Sequence, residues 1–148
     1  MSVLDQIVKA YDIRGTVPDQ LDADVAHALG VGFGSFIRAS TSSERIVIAR
    51  DMRPSGPAFV DAFTRGVVAQ GLDVIDLGLG STDLMYYASG VMDAPGAMFT
   101  ASHNPAGYNG IKLCSAGARP VGIDTGLADV QKVAQRVLDG SGPDPVDN

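Results

Sequence analysis

Apolar residues along this chain fall into short β-branched runs separated by stripes at spacings of three and four, the pattern of strands alternating with helices. The first stripe, Ala26, Leu29, Phe33, Phe36 and Ile37, predicts a helix over 22–38 capped by Asp22. Gly30, Gly32 and Gly34 interrupt it. Each interior Gly costs about 0.5–1 kcal/mol relative to Ala, so three of them point to close packing against a neighbour. Arg45-Ile46-Val47-Ile48-Ala49 then reads as a strand, Pro54-Ser55 as a turn, and Phe59, Phe63 and Val67 as one face of a second helix. The cycle repeats with a strand over 73–77, a break at Gly78 and Gly80, and a helix capped by Thr82 and reaching about Ser89. A third strand, over 96–100, is followed closely by a fourth over 110–114. Ile123, Leu127, Val130, Ala134 and Val137 form the last stripe, which Gly140-Ser141-Gly142-Pro143 ends.

Strands alternating with helices imply βαβ units. The expected fold class is α/β, a three-layer α/β/α arrangement around a mainly parallel mixed sheet of about four strands. Residues 1–138 are expected to form one domain. The Gly-, Pro- and Asp-rich stretch 139–148 reads as the start of an interdomain linker or an artificial tail. In such sheets chemistry gathers in loops after the strands, and Arg50-Asp51, Gly78-Leu79-Gly80 and Ser102-His103-Asn104 all occupy that kind of position.

Composition narrows the function classes. A hydrophobic share of 45% against 19% charged is that of a chain that folds rather than of a disordered one. The net charge is -6 and no run of Lys or Arg is present, so no nucleic-acid partner is expected. Cys114 is the single cysteine and lies in an apolar run, which predicts a buried, inert thiol and a reducing, cytoplasmic setting. The amino terminus lacks a basic-then-apolar leader, and no apolar stretch approaches the roughly 20 residues of a membrane span, so no membrane partner is expected.

The segment richest in chemistry is Thr100-Ala101-Ser102-His103-Asn104-Pro105, with Tyr108-Asn109-Gly110-Ile111-Lys112 behind it. A Ser hydroxyl needs a base, a positive field or a metal to act as a nucleophile, and His103 and Lys112 are the groups at hand. The competing reading is a polar turn between two strands. His27 belongs to the first helix as a partly buried structural histidine, which leaves no Ser-His-Asp triad. Near the amino terminus, Tyr11 and Arg14 in Lys9-Ala10-Tyr11-Asp12-Ile13-Arg14-Gly15 could grip a phosphate through charge-assisted bonds. A surface ion pair between Asp12 and Arg14 is the alternative. Neither nucleotide-binding glycine fingerprint occurs, and the chain lacks a complete ligand set for a metal.

These segments together resemble the α-D-phosphohexomutases, most closely the phosphomannomutase/phosphoglucomutase group. That family carries its active serine in Thr-Ala-Ser-His-Asn-Pro followed by Asn-Gly-x-Lys, as in residues 100–105 and 109–112 here. Ala10-Tyr11-Asp12-Ile13-Arg14-Gly15 and Arg50-Asp51-x-Arg53-x-Ser55-Gly56 match two further family segments in the same order. One departure is Thr82-Asp83 where many relatives have Thr-Pro, and Asp is acceptable in a first helical turn.

The resemblance implies the first domain only of a four-domain enzyme, an intramolecular phosphotransferase that interconverts hexose 1-phosphate and hexose 6-phosphate of mannose or glucose through a bisphosphate. It implies catalytic roles for Ser102, His103, Lys112 and Arg14, and substrate binding by Tyr11, Arg14 and Asn104. Mg²⁺ is the implied cofactor, meeting this chain at Ser102 through its phosphoryl group, with its remaining ligands in a second domain. The isolated chain is then expected to be inactive. A non-catalytic sugar-phosphate-binding or interaction module derived from this domain is the alternative.

Overall fold

The computed structural model describes residues 2–147. In chain order the elements are α1 (Val3–Ile7), β1 (Ile13–Thr16), α2 (Ala23–Ser40), β2 (Arg45–Arg50), α3 (Gly56–Ala69), β3 (Asp73–Leu79), α4 (Thr82–Met92), β4 (Gly96–Phe99), β5 (Tyr108–Ser115), β6 (Arg119–Pro120) and α5 (Leu127–Leu138), with a 3-10 turn at Ile123–Thr125. The strands form one sheet in the order β1-β5-β4-β2-β3, with β6 added beside β5. β2 pairs in parallel with β3 and β4, as βαβ crossovers require. β5 pairs antiparallel with β4, β1 and β6.

The three-layer class holds, with two corrections. The sheet has six strands rather than about four, because β1 and β6 are too short to show a period of their own. It is also more evenly mixed than expected: the short loop between β4 and β5 holds no helix, so those strands can only run antiparallel.

Period-two alternation assigns the two faces of the sheet. Ile46 and Ile48, Ala97 and Phe99, and Ile111 and Leu113 point into one large core closed by α1, α2, α3 and α5. Val47, Ala49, Met98 and Cys114 point the other way, into two small clusters beneath α4. The glycines of α2 do what their cost implied. A Cβ at Gly30 would strike the Phe63 carbonyl of α3, one at Gly66 of α3 would strike the His27 carbonyl, and Gly32 lies as close against Val130 of α5. Helix α2 is thus wedged between two neighbours at backbone contact.

Asp22 caps α2 by accepting a hydrogen bond from the Val25 N–H at 2.9 Å. Helix α4 is capped by Ser81 rather than Thr82, with Ser81 Oγ accepting from Leu84 N–H at 3.0 Å, and it extends to Met92. Ile123, expected as the first residue of the last helical stripe, falls in the 3-10 turn, and α5 begins at Leu127. The segment after α5 has no regular element, and its Val146 N–H donates to the Ala69 carbonyl at the end of α3 at 2.7 Å.

Candidate functional site

Helix α4 contacts β2, β4 and β5, whereas α1 is the helix that meets β1. The α4 side of the sheet is therefore open over β1 and the start of β5, and register decides what is displayed there. Arg14 stands opposite Gly110, and Ile13 opposite Ile111. Ile13 and Ile111 face the large core, so Arg14, Gly110 and Lys112 face the open side. Continuing the same register by one residue sets Asp12 against Lys112.

The contact is made: Lys112 Nζ lies 3.3 Å from Asp12 Oδ2, and Arg14 Nε lies 3.2 Å from Asp12 Oδ1. Asp12 is only 8% exposed. This is not the surface pair that spacing alone allowed, because one sunken carboxylate holds two cations from two strands and fixes where both project. Gly110 makes the approach possible, since a Cβ there would strike the Ile13 carbonyl.

Ser102 reaches the same place from the loop after β4. A pocket of about 460 Å³ is lined by Lys9, Ala10, Tyr11, Asp12, Arg14, Ser102 and Lys112. Of the residues singled out in the sequence, Ser102, Tyr11, Arg14 and Lys112 are brought together there. His103 and Asn104 share the serine's loop but are not among the lining residues. Tyr11 is 81% exposed, an aromatic ring standing at the rim. A smaller pocket of about 270 Å³ continues past Ala10 and Tyr11 to Pro120, Gly122, Ile123, Asp124 and Thr125.

Ser102 itself is strained. Its φ of 55° lies in the left-handed region, which a non-glycine residue enters at a cost of about 1–3 kcal/mol. Its N–H donates to Thr100 Oγ1 at 3.0 Å. Its carbonyl accepts from Arg53 Nη2 at 3.0 Å. Arg53 was passed over in the sequence, where it was one residue of a matching segment without a role. It is 5% exposed and donates as well to the carbonyls of Asn104 at 2.9 Å, Pro105 at 2.8 Å and Tyr108 at 2.9 Å. Asp51 orients it, accepting from its Nε at 3.4 Å and from its backbone N–H at 3.2 Å. Beside it, buried Asn109 donates from Nδ2 to Ser55 Oγ at 2.8 Å and accepts from the Gly110 N–H. The loops after β2 and β4 are thus joined by side chains, whereas Gly78-Leu79-Gly80 adds no residue to the pocket.

Two groups on this side carry displaced pKa values. Burial pushes the Cys114 thiol up, partly offset by the hydrogen bond with the Ser89 hydroxyl. Burial likewise raises Tyr86, with smaller contributions from Cys114 and Asp12. As a metal site the pocket is incomplete. Among the described residues no group of three or more His, Cys, Asp or Glu is placed to hold an ion. Asp12, the pocket's carboxylate, is engaged by both cations. Among the described residues no helix is long and apolar enough to cross a membrane.

The chain is similar to known proteins over most of its length. Residues 5–137 match the family model for phosphoglucomutase/phosphomannomutase, alpha/beta/alpha domain I. A phosphomannomutase of Klebsiella pneumoniae is 39% identical over 128 residues, spanning 86% of this chain and 79% of that protein. A phosphomannomutase of Escherichia coli K12 is 41% identical over 128 residues, but the match spans 27% of its length. The crystal structure of a phosphoglucomutase/phosphomannomutase family protein from Burkholderia thailandensis superposes with a TM-score of 0.79 at 36% identity, covering 96% of this chain and 32% of that one. Against most of these relatives the chain spans between a quarter and a third of their length.

Proposed function

This chain belongs to the phosphoglucomutase/phosphomannomutase family as its α/β/α domain I, and from that premise we propose that Ser102 is the phosphoryl carrier of a hexose-phosphate mutase. The observation that carries the proposal is the meeting of Ser102 with Arg14 and Lys112 in one pocket, which sets two cations and a single serine in the same lining. A phosphoserine carries about two negative charges, and fixed cations beside it are what phosphoryl transfer demands.

In the forward half-reaction a hydroxyl of a bound hexose phosphate attacks the phosphorus in line. The bond from phosphorus to Ser102 Oγ breaks as the bond to the sugar oxygen forms. The sugar hydroxyl's proton passes through His103 or Lys112 and ends on Ser102 Oγ. The resulting bisphosphate turns over and returns its other phosphoryl to Ser102. Arg14 and Lys112 offset the moving charge, with Asp12 fixing their directions. Tyr11 and Asn104 meet the sugar phosphate. Among the described residues no donor set makes a Mg²⁺ site, so the ion would meet this chain at the phosphoryl oxygens on Ser102. We place residues 1–138 as the phosphoserine domain, 139–148 as the start of a linker, and the activity in the cytoplasm, as the buried free thiol of Cys114 supports.

Intact-mass measurement and phosphopeptide mapping of the complete enzyme test the carrier. Phosphate on Ser102 and at least a ~10⁴-fold loss of mutase turnover in Ser102→Ala are expected. Turnover retained in that variant sinks the assignment. The 148-residue chain alone is expected to show no mutase turnover, because the pocket is a single open wall.

A further inference from the structure

Arg53 lines no part of the Ser102 pocket, yet it holds more of the serine's loop than any residue in the loop itself. A guanidinium has five N–H donors in a fixed planar fork. Here all five are used: Nη1 to the carbonyls of Pro105 and Tyr108, Nη2 to those of Ser102 and Asn104, and Nε to Asp51 Oδ2. Three of the four carbonyls, those of Ser102, Asn104 and Pro105, belong to the loop between β4 and β5, and the fourth, that of Tyr108, stands at the start of β5. Their common acceptance from one buried group ties the eight-residue loop 100–107 and the start of β5 to the segment that follows β2.

We infer that Arg53 is the positioning residue of the candidate nucleophile, holding Ser102 in its left-handed conformation so that Oγ faces the two cations. This rests on the reading of Ser102 as phosphoryl carrier. Ser102 is fixed on both sides, by Thr100 Oγ1 at its N–H and by Arg53 at its carbonyl. A strained φ persists only where the surroundings over-determine it in this way. Lysine cannot replace the fork, since an ammonium has three donors and no plane. If Arg53 merely supplied positive charge to the region, lysine would serve as well.

The test uses Arg53→Lys and, as a gentler change that leaves the guanidinium in place, Asp51→Asn. Hydrogen exchange on the 148-residue chain should show the amides of Ser102, Asn104 and Tyr108 opening about tenfold faster in Arg53→Lys, with those of β4 and α2 unchanged. In the complete enzyme kcat should fall about 100-fold while KM stays within about threefold, since misplacing a reacting group by an ångström acts on the chemical step. Asp51→Asn should move both readouts in the same direction by about threefold, and it decides the question alone if Arg53→Lys does not fold. Wild-type exchange at the three amides in a folded variant overturns the inference, as does a rise in KM at unchanged kcat. An unphosphorylated, inactive wild-type enzyme would remove the carrier reading, and the exchange result would then stand or fall separately for the clamp.

Discussion

The two faces of the sheet are built on opposite principles. One is closed by four helices and holds a continuous core from Leu4 to Ala134, with α2 at backbone contact with α3 and α5. The other has α4 alone over two small clusters. At its uncovered end it keeps Asp12, Arg14 and Lys112 around a pocket. Packing on the first face is given over to apolar side chains. Polarity on the second leaves little to hold the fold together. The same strands serve both, because alternate residues of β4 and β5 go to opposite sides: Phe99 and Ile111 to the core, Met98 and Lys112 to the open face. Stability and chemistry are separated by the direction of a Cβ.

That contrast can be broken or sharpened by substitution. The largest effect on stability should come from Phe63→Ala on the closed face. Phe63 is fully buried with its ring centroid 5.2 Å from that of Phe99 and 6.2 Å from that of Phe33. A loss of about 3–5 kcal/mol is expected in chemical denaturation. A loss below 1 kcal/mol would mean that the helical layer is not the source of stability.

Lys112→Met should do the reverse. Its ammonium is partly exposed, and its partner Asp12 keeps Arg14, so the cost in unfolding free energy should stay at or below about 1 kcal/mol. Turnover of the complete enzyme should fall by about 10²-fold or more, as for removal of one charge-stabilising donor. A variant that is both markedly unstable and fully active would erase the division between the faces.

The smallest effect belongs to Cys114, which lies under α4 on the open face but away from the pocket. Burial raises its pKa in the folded state above the thiol's ordinary 9.0, so the stability it contributes is fully present below that value. It is lost as pH rises through the higher folded value. Unfolding free energy should therefore decline above about pH 9, and Cys114→Ala should flatten that decline. Identical pH profiles for the two proteins would show the thiol to be solvated in the folded chain.

Much of the closed face could be read from the chain, because periodicity records burial. The stripe ending at Ile37 gave α2, Asp22 gave its cap, and the costly glycines announced the helix contacts. Ser81 displaced Thr82 as the cap because adjacent hydroxyls look alike without backbone angles. The short β1 carried too few residues to show a period. On the open face the motif residues were visible but their partners were not. Asp12 reaches Lys112 across 100 positions, and Arg53 reaches its carbonyls across 49 to 55. Spacing in sequence carries no information about such contacts. They arise only when strand register and a shared loop bring the groups together.

The left-handed backbone at Ser102 has a consequence for how this protein can change over evolutionary time. Glycine enters that conformation freely, and asparagine more readily than serine does. Neither can carry a phosphoryl group on an oxygen. Random variants screened for heat resistance alone should therefore be enriched for Ser102→Gly. In living populations, retention of serine at this left-handed position is expected only while the proposed phosphoryl chemistry is under selection.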